Sequence, residues 1–329
     1  MGPIRQEGRP LASVIIPVFN GAGSLEVAAG CVDCHGGEVE LVIVDDGSTD
    51  ETAQVCDRLE RERPWVHVIS KANGGVSSAR NAGMRAAAGE FIFFMDCDDS
   101  VGGDLFYGAA SFMEKHSLDA CSLQENIFFA PAHEGIVTGR DFLNRALRGR
   151  EVFACWRYGF SRRLMGSLSF SEGCRMGEDQ EFSILALSRA DRVGAFEGGR
   201  YLYAPDNPGS ATALANEAHF DAVEAFARVE RVFADEFGSD SELVELAKER
   251  GACAMFTAVA TNAVAGVSAR QIRAWAETRG LLGGKDFGRA TCAAEGARGR
   301  VFAHLWRASP RAAIDFVAAT SRHGRAIKA

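Results

Sequence analysis

The first 120 residues alternate between short apolar runs and amphipathic stretches, and few folds admit that rhythm. SVIIPVF (13–19), VELVIVDD (39–46), WVHVIS (65–70) and the run over 90–95 have the β-branched and aromatic texture of strands. Between them, SLEVAAGCVDC (24–34), TDETAQVCDRLERER (49–63) and VSSARNAGMRAAA (76–88) have helical spacing; Pro64 stops the second and Gly89 closes the third. GDLFYGAASFMEKH (103–116) and LDACSLQ (118–124) continue the pattern as helix and strand. Strand and helix alternating at this interval predict βαβ units and a mainly parallel sheet flanked by helices. Such strands are covered on both faces, which accounts for their being apolar throughout. Residues 125–212 are irregular, and from 214 to 329 the chain turns helical and alanine-rich, with no fixed-period repeat.

Composition narrows the function classes. A chain of 329 residues with 47% hydrophobic and 24% charged residues has the material for one large α/β domain and a smaller appendage. A net charge of −8 offers nucleic acid no global attraction. The opening MGPIRQEGRP contains no apolar leader core, and no run approaches the 18 apolar residues of a membrane span. Nine cysteines, an odd count without framework spacing, suit a reducing compartment, so a cytoplasmic location is expected. The charge is uneven. From Arg298 to Ala329 seven Lys/Arg face one acid, Asp315, so the tail carries about +6 and the remainder about −14. RVFAHLWRAS and RAAIDFVAATSRHGR mix arginine with Phe, Leu, Trp and Ile. That pattern fits either a solvated helical face or an interfacial helix at the inner face of a membrane.

In an open parallel sheet, ligands bind beyond the carboxyl ends of the strands. Pro17, Phe19 and Asn20 stand after the first strand, Asp45 and Asp46 after the second, KANGGVSSARN after the third, and Asp96, Asp98 and Asp99 after the fourth. Each group has a purely structural explanation: Ser48 or Thr49 as a helix cap, Asn73-Gly74-Gly75 as a tight turn, Asp99 or Ser100 as the cap of the next helix. Asp96 and Asp98 resist it. Two carboxylates one residue apart at the end of a buried strand repel each other unless a cation lies between them. A hard divalent cation held by so few protein oxygens completes its shell with substrate phosphates, which points to a nucleoside diphosphate.

The segments SVIIPVFNGAGSL, VELVIVDDGSTDET, ANGGVSSARNAGMRAAAGEFIFFMDCDD and GEDQEF, in this order, resemble the inverting family 2 nucleotide-sugar glycosyltransferases of the GT-A fold. The resemblance spans about residues 11 to 212. It implies a Rossmann-like, mainly parallel sheet as a catalytic domain over 1–212. Residues 11–124 would be its nucleotide-sugar-binding half and 125–212 its acceptor and catalytic half, followed by a helical region over 213–329. It further implies that Asp98 binds Mn²⁺ or Mg²⁺, and that Asp96 meets the ribose or the metal shell. Pro17, Phe19, Asn20 and Asp46 would shape the base pocket, and Gly75, Arg80, Asn81 and Cys97 would lie beside the nucleotide-sugar. The donor would be a nucleoside diphosphate sugar, by family habit a UDP-sugar. The acceptor would be a glycan or lipid-linked hydroxyl, in cell-surface polysaccharide synthesis.

A second chemical centre lies in SEGCRMGEDQEFSILAL (171–187). Inversion at an anomeric carbon requires one carboxylate to deprotonate the attacking hydroxyl. The resemblance puts this base in the pair Glu178-Asp179, with Asp179 the base. Acids also favour helix N-termini for electrostatic reasons, so the pair means little without the upstream motifs. Downstream, Ser210 and Thr212 match a family element, but Pro205 and Asp206 stand where many members carry a basic or histidine residue.

Other patterns are weaker. CVDCH (31–35) matches a c-type haem attachment site, a chemistry that needs export. GAGSLE lacks the third glycine of a dinucleotide fingerprint, having Glu26 there, and it lacks the basic residue of a nucleotidyltransferase loop. FFMDCDDS resembles a phosphatase aspartate, but three βα units precede it. A catalytically silent sugar-nucleotide-binding protein of the same fold is the alternative, and intact Asp96, Asp98 and Asp179 argue against it.

Overall fold

A computed structural model describes residues 9–123, 135–149, 151–204, 216–282 and 296–326. The chain divides into two compact units: Met1–Gly173 with Phe182–Asn207, and Cys174–Glu181 with Pro208–Ala329.

The first unit is built on a seven-stranded sheet. Its strands are β1 (Ala12–Val18), β2 (Val39–Asp45), β3 (Val66–Ser70), β4 (Phe91–Phe94), β6 (Ala120–Leu123), β7 (Tyr158–Ser161) and β8 (Val193–Phe196), in the order β3-β2-β1-β4-β7-β6-β8. The first four in that order are parallel; β7 is antiparallel to both β4 and β6. All residues of β1, β2 and β4 are buried, as expected of parallel strands covered on both faces. The intervening helices α1 (Ala22–Cys31), α2 (Thr52–Glu62), α3 (Val76–Ala86) and α4 (Leu105–His116) follow the anticipated order. The register aligns the ends of β1, β2 and β3, with Val18 opposite Asp45 and Asp45 opposite Ser70, so their following loops emerge at one edge.

At the opposite edge lies Glu40, 5% exposed, a buried carboxylate that the sequence pattern hides inside a strand. It accepts hydrogen bonds from Ser13 Oγ and from the amides of Ala88 and Gly89, tying the turn into β4 to the sheet.

A second, two-stranded sheet pairs β5 (Ser100–Gly103) with β9 (Gly199–Leu202), Ser100 lying opposite Leu202. The sequence reading anticipated only a helix cap at Ser100. The next helix, α4, instead takes Asp104 as its N-terminal flanking residue.

The second unit is helical: α8 (Asp221–Phe237), α9 (Glu242–Val264), α10 (Ala269–Thr278), α11 (Gly296–Ala308) and α12 (Pro310–Ala326). In the first unit, α5 (Gly139–Gly149) and the single turn α6 (Arg162–Met165) precede α7 (Glu178–Ser188), whose first turn clusters with the helical unit. Phe302, Trp306, Ile314 and Val317 are 0–4% exposed in the core of this unit with Met255, Val259 and Ile272. The apolar side of the basic tail is therefore used internally, and a membrane contact there would rest on its arginines. Among the described residues, no helix is long and apolar enough to cross a membrane.

Candidate active site

The loops after β1 and β2 are knitted together. Asn20, at φ 52°, accepts from the Thr49 amide at 2.8 Å, and its own amide donates to Ser48 Oγ at 2.9 Å. The Ser48 amide in turn donates to Asp45 Oδ1 at 2.9 Å. Gly47 sits at φ 76°, and a Cβ there would meet the Asn73 amide nitrogen at 2.7 Å, so only glycine allows the third loop to approach the second. Pro17 is buried beneath these turns, while Phe19 is 50% exposed.

Asp46 closes the third loop. Its carboxylate, 3% exposed, receives the Gly74 amide at 3.0 Å, the Gly75 amide at 2.7 Å and the ammonium of Lys71. Gly75 has φ 86° and leads directly into α3. Asp46 thus organises the Gly-rich turn ahead of α3. Lys71, quoted within KANGG but given no role by the sequence, brings a cation to this edge; its Nζ also donates to Ala72 O at 2.7 Å.

On α3, Arg80 is 5% exposed and donates to Asp96 Oδ1 at 2.9 Å, with its guanidinium 5.3 Å from the centroid of Phe170. Asn81 is 4% exposed and turns elsewhere. Its amide donates to Phe170 O at 3.0 Å and Glu172 at 3.2 Å, and its carbonyl accepts the Phe170 amide at 2.8 Å. It clamps the segment preceding the second motif.

The three acids after β4 separate in role. Asp98 is exposed and the Asp96 side chain is 32% exposed, whereas Asp99 is 2% exposed. Asp99 accepts from Tyr201 Oη at 2.7 Å and from the Ala204 amide at 2.8 Å, and Tyr201 Oη accepts the Asp96 amide at 3.1 Å. Burial pushes the Asp99 carboxyl up to about 6 against the opposing effect of these hydrogen bonds. Burial, reinforced by the charges of Asp98 and Asp96, pushes the Cys97 thiol up to about 12. Tyr201 also stacks on Trp156 at 4.5 Å, and Trp156 stacks on Tyr203 at 5.9 Å. Neither Tyr201 nor Trp156 is visible as a site residue in the sequence, because the β5–β9 pairing brings Tyr201 here and Trp156, in the turn before β7, joins it only by stacking.

This donor set fits a divalent cation of limited protein ligation. Two carboxylates, Asp96 and Asp98, stand at the strand end, while Asp99 is withdrawn into the fold, accepting from Tyr201 and the Ala204 amide. No cluster of three metal-ligating side chains occurs among the described residues. A hard cation there would take its remaining ligands from a substrate diphosphate and water.

The second motif is described within the helical unit. Glu178 is buried and Asp179 half-buried in the first turn of α7, with Asp179 Oδ1 accepting the Gln180 amide at 2.8 Å. Glu181 forms a bidentate pair with Arg228, at 2.8 Å to each oxygen, which raises the Arg228 pKa. The Arg175 amide donates to Asp221 at 2.9 Å. Pro205, Asp206, Ser210 and Thr212 lie outside the described residues. The haem-like CVDCH is taken up in packing. Cys34 is buried, Cys31 Sγ accepts the Val101 amide, and His35 bonds Asp104 at 2.8 Å while stacking on Tyr107.

Residues 13–156 match the sequence profile of Glycosyl transferase family 2. The chain carries a family 2 glycosyltransferase domain. The chain is 31% identical over 223 residues to EpsJ of Bacillus subtilis, an uncharacterized glycosyltransferase, covering 62% of this chain and 64% of that one. It is 29% identical over 227 residues to the minor teichoic acid biosynthesis protein GgaB of the same species, of which the match covers 25%. The chain therefore spans less than two thirds of either relative. Among solved structures, residues 1–349 of Staphylococcus aureus TarS in complex with UDP-GlcNAc superimpose with a TM-score of 0.69 at 23% identity, covering 95% of this chain and 92% of that one. A mannosyltransferase of Pyrobaculum calidifontis, in complex with GDP-Man and Mn²⁺, does so at 0.51 and 19% identity, covering 96% and 88%. The GT-A fold of the chain follows from its sheet and from these likenesses.

Proposed function

We propose that the protein is an inverting glycosyltransferase that moves a sugar from a nucleoside diphosphate sugar, a UDP-sugar by preference, to a hydroxyl of a glycan or lipid-linked acceptor in cell-surface polysaccharide synthesis. The observation that carries this reading is the division of labour after β4, where Asp96 and Asp98 face outward and Asp99 is retired into the fold. TarS, named for N-acetylglucosaminyl transfer to poly(ribitol-phosphate) and solved with UDP-GlcNAc, supports the choice of uridine and of a hexosaminyl or hexosyl group.

In this reading Asp98 and Asp96 hold Mn²⁺ or Mg²⁺. The bound ion supplies the positive charge that stabilises the departing diphosphate. Arg80 fixes the orientation of Asp96 through its 2.9 Å hydrogen bond. Pro17, Phe19 and Asn20 border the base, with the exposed face of Phe19 available for stacking, and Asp46 shapes the same pocket by holding Gly75. Cys97 contributes as a small half-buried spacer between the two acids, and Asn81 acts through the Phe170–Glu172 segment. Asp179 takes the proton from the attacking acceptor hydroxyl, with buried Glu178 beside it in sequence. The enzyme is expected to work in the cytoplasm or peripherally at the membrane's inner face.

The test is a thermal-shift panel of UDP, GDP, CDP and TDP, each with and without Mn²⁺. A ligand that binds only the native state raises the melting temperature. The expected outcome is a manganese-dependent shift for UDP that disappears in Asp98→Ala, with sugar-nucleotide hydrolysis lost in Asp179→Asn while binding persists. Failure of every nucleotide to shift the transition would remove the donor site from this edge. Binding with no turnover in the wild type would favour a silent sugar-nucleotide-binding protein.

A further inference from the structure

Glu181 is the fixed point of the first turn of α7. Its carboxylate, 6% exposed, meets the Arg228 guanidinium of α8 through two hydrogen bonds of 2.8 Å, Nε donating to one oxygen and Nη2 to the other. A planar fork gripping both oxygens sets the direction of the carboxylate as well as its place, which a single contact does not. The same guanidinium is within hydrogen-bonding reach of the Cys174 sulfur, whose thiol donates to Met176 O at 3.3 Å. Arg228 therefore holds both ends of the stretch 174–181. Between those ends, Gly177 at φ 88° lies so close to α8 that a Cβ would come within 2.9 Å of Ala222 Cα, and the Glu181 amide donates to Gly177 O at 2.9 Å.

Helical periodicity converts this grip into an orientation. At about 3.6 residues per turn each step rotates by about 100°, so Glu178 and Glu181 share one face and Asp179 lies about 200° away from Glu181. Burial follows that geometry: Glu178 and Glu181 are buried, whereas Asp179 and Gln180 are half-buried. Fixing Glu181 against α8 thus fixes the rotation of the turn and the direction in which Asp179 projects. Charge balance points the same way. Glu178, Glu181 and Asp221 all act electrostatically on Cys174, and Arg228 opposes them there. Asp221 is held in addition by the Arg175 amide and by Arg279, and Asp179 Oδ1 accepts the Gln180 amide. Stability alone gives little reason for such a pair, because desolvation offsets most of the attraction between partly buried ions.

We propose that Arg228 is a positioning residue for the base: its grip on Glu181 and Cys174 sets the angle at which Asp179 meets the acceptor hydroxyl, acting through the turn and not on the substrate. The proposal rests on the reading of Asp179 as the base. Proton transfer needs such control, since a misplacement of about 1 Å can cost about a hundredfold in rate.

Steady-state kinetics on the full chain test it. The probe is whichever of UDP-GlcNAc, UDP-glucose and UDP-galactose is hydrolysed fastest with Mn²⁺, water standing in for the acceptor hydroxyl and UDP release being followed. Arg228→Gln removes the fork, and kcat is expected to fall at least tenfold while the donor KM stays within twofold of wild type. Glu181→Gln should give the same loss, and the double variant no more than either alone, as for two ends of one contact. Arg228→Lys, which keeps the charge without the fork, should recover only part of the rate, and it serves if the glutamine variant does not fold. A purely structural pair would lower the melting temperature without separating kcat from KM. Rates within twofold of wild type in folded Arg228→Gln and Glu181→Gln, or additive losses in the double variant, overturn the proposal. Hydrolysis lost in Asp179→Asn but untouched by the Arg228 variants would sink only the positioning role. Hydrolysis that survives Asp179→Asn, or a wild type that binds UDP–Mn²⁺ and hydrolyses none of the three donors, would sink the reading of the base and the positioning role with it.

Discussion

Arg80 Nη2 lies 2.9 Å from Asp96 Oδ1, reaching from a buried position on α3 to the end of β4. This hydrogen bond holds one of the two outward acids in a fixed orientation with a cation already beside it. Arg80→Ala removes the donor and leaves Asp96 to repel Asp98. A loss of about 2 kcal/mol in stability is expected, on the scale of a hydrogen bond to a charged group. A tenfold or greater weakening of manganese-dependent UDP binding should accompany it. Urea unfolding and calorimetry on one preparation check both; unchanged nucleotide affinity would reduce Arg80 to a packing residue.

Asp99 makes stability depend on pH in a defined window. Burial raises its folded pKa to about 6, above the ordinary aspartate value of about 4. The group therefore contributes stability that is fully present below about pH 4 and is lost as pH rises through about 6. In metal-free solution, the melting temperature of Asp99→Asn minus that of the wild type should climb between pH 4 and pH 6 and then level off. A flat difference across that range would mean that Asp99 is already ionised in the fold at pH 4.

Glu40 supports the sheet at the edge away from the candidate site. Glu40→Ala leaves Ser13 Oγ and the Ala88 amide without their buried acceptor, and the expected cost is about 3 kcal/mol. A fall in the urea midpoint at unchanged slope would show it. Nucleotide binding below the transition should persist, since no strand-end loop is touched.

Cys97 sits between the two outward acids yet should be chemically quiet. With its thiol pushed up to about 12, almost no thiolate exists at pH 8. Iodoacetamide followed by mass spectrometry should find Cys97 unmodified in the folded protein and modified in urea. Rapid alkylation of the native protein would contradict the burial of this sulfur.

The parallel half of the sheet was legible because each strand is buried on both faces and is bounded by glycine, proline or acids. The first four strands and the helices between them fall where the periodicity puts them, to within a few residues. What was hidden depends on distant pairing. SVGG at 100–103 has no strand texture, and only its partner Gly199–Leu202 makes it one. Tyr201 is one tyrosine among four until that pairing sets it between Asp96 and Asp99. Asn81 read as a neighbour of the nucleotide, and what the sequence hid is that its side chain grips Phe170 and Glu172, a contact across 89 residues to the first of these. The apolar stripe of the tail was recognisable as amphipathic, but a pattern of spacing cannot distinguish a lipid surface from the core of the chain's own helical unit.

The Arg228–Glu181 pair and the Arg175–Asp221 hydrogen bond, together with the close packing of Gly177 on Ala222, bind residues 174–181 to the helices that follow. The proposed base thus lies in a segment that clusters with the helical region. A chimera cut at residue 208 would import foreign helices beneath a native GEDQ segment and lose all three attachments. A graft that also carries 174–181 would preserve them. Changing which acceptor such an enzyme uses is then an exchange of two separated pieces of chain, and homologous recombination at a single crossover would seldom deliver both.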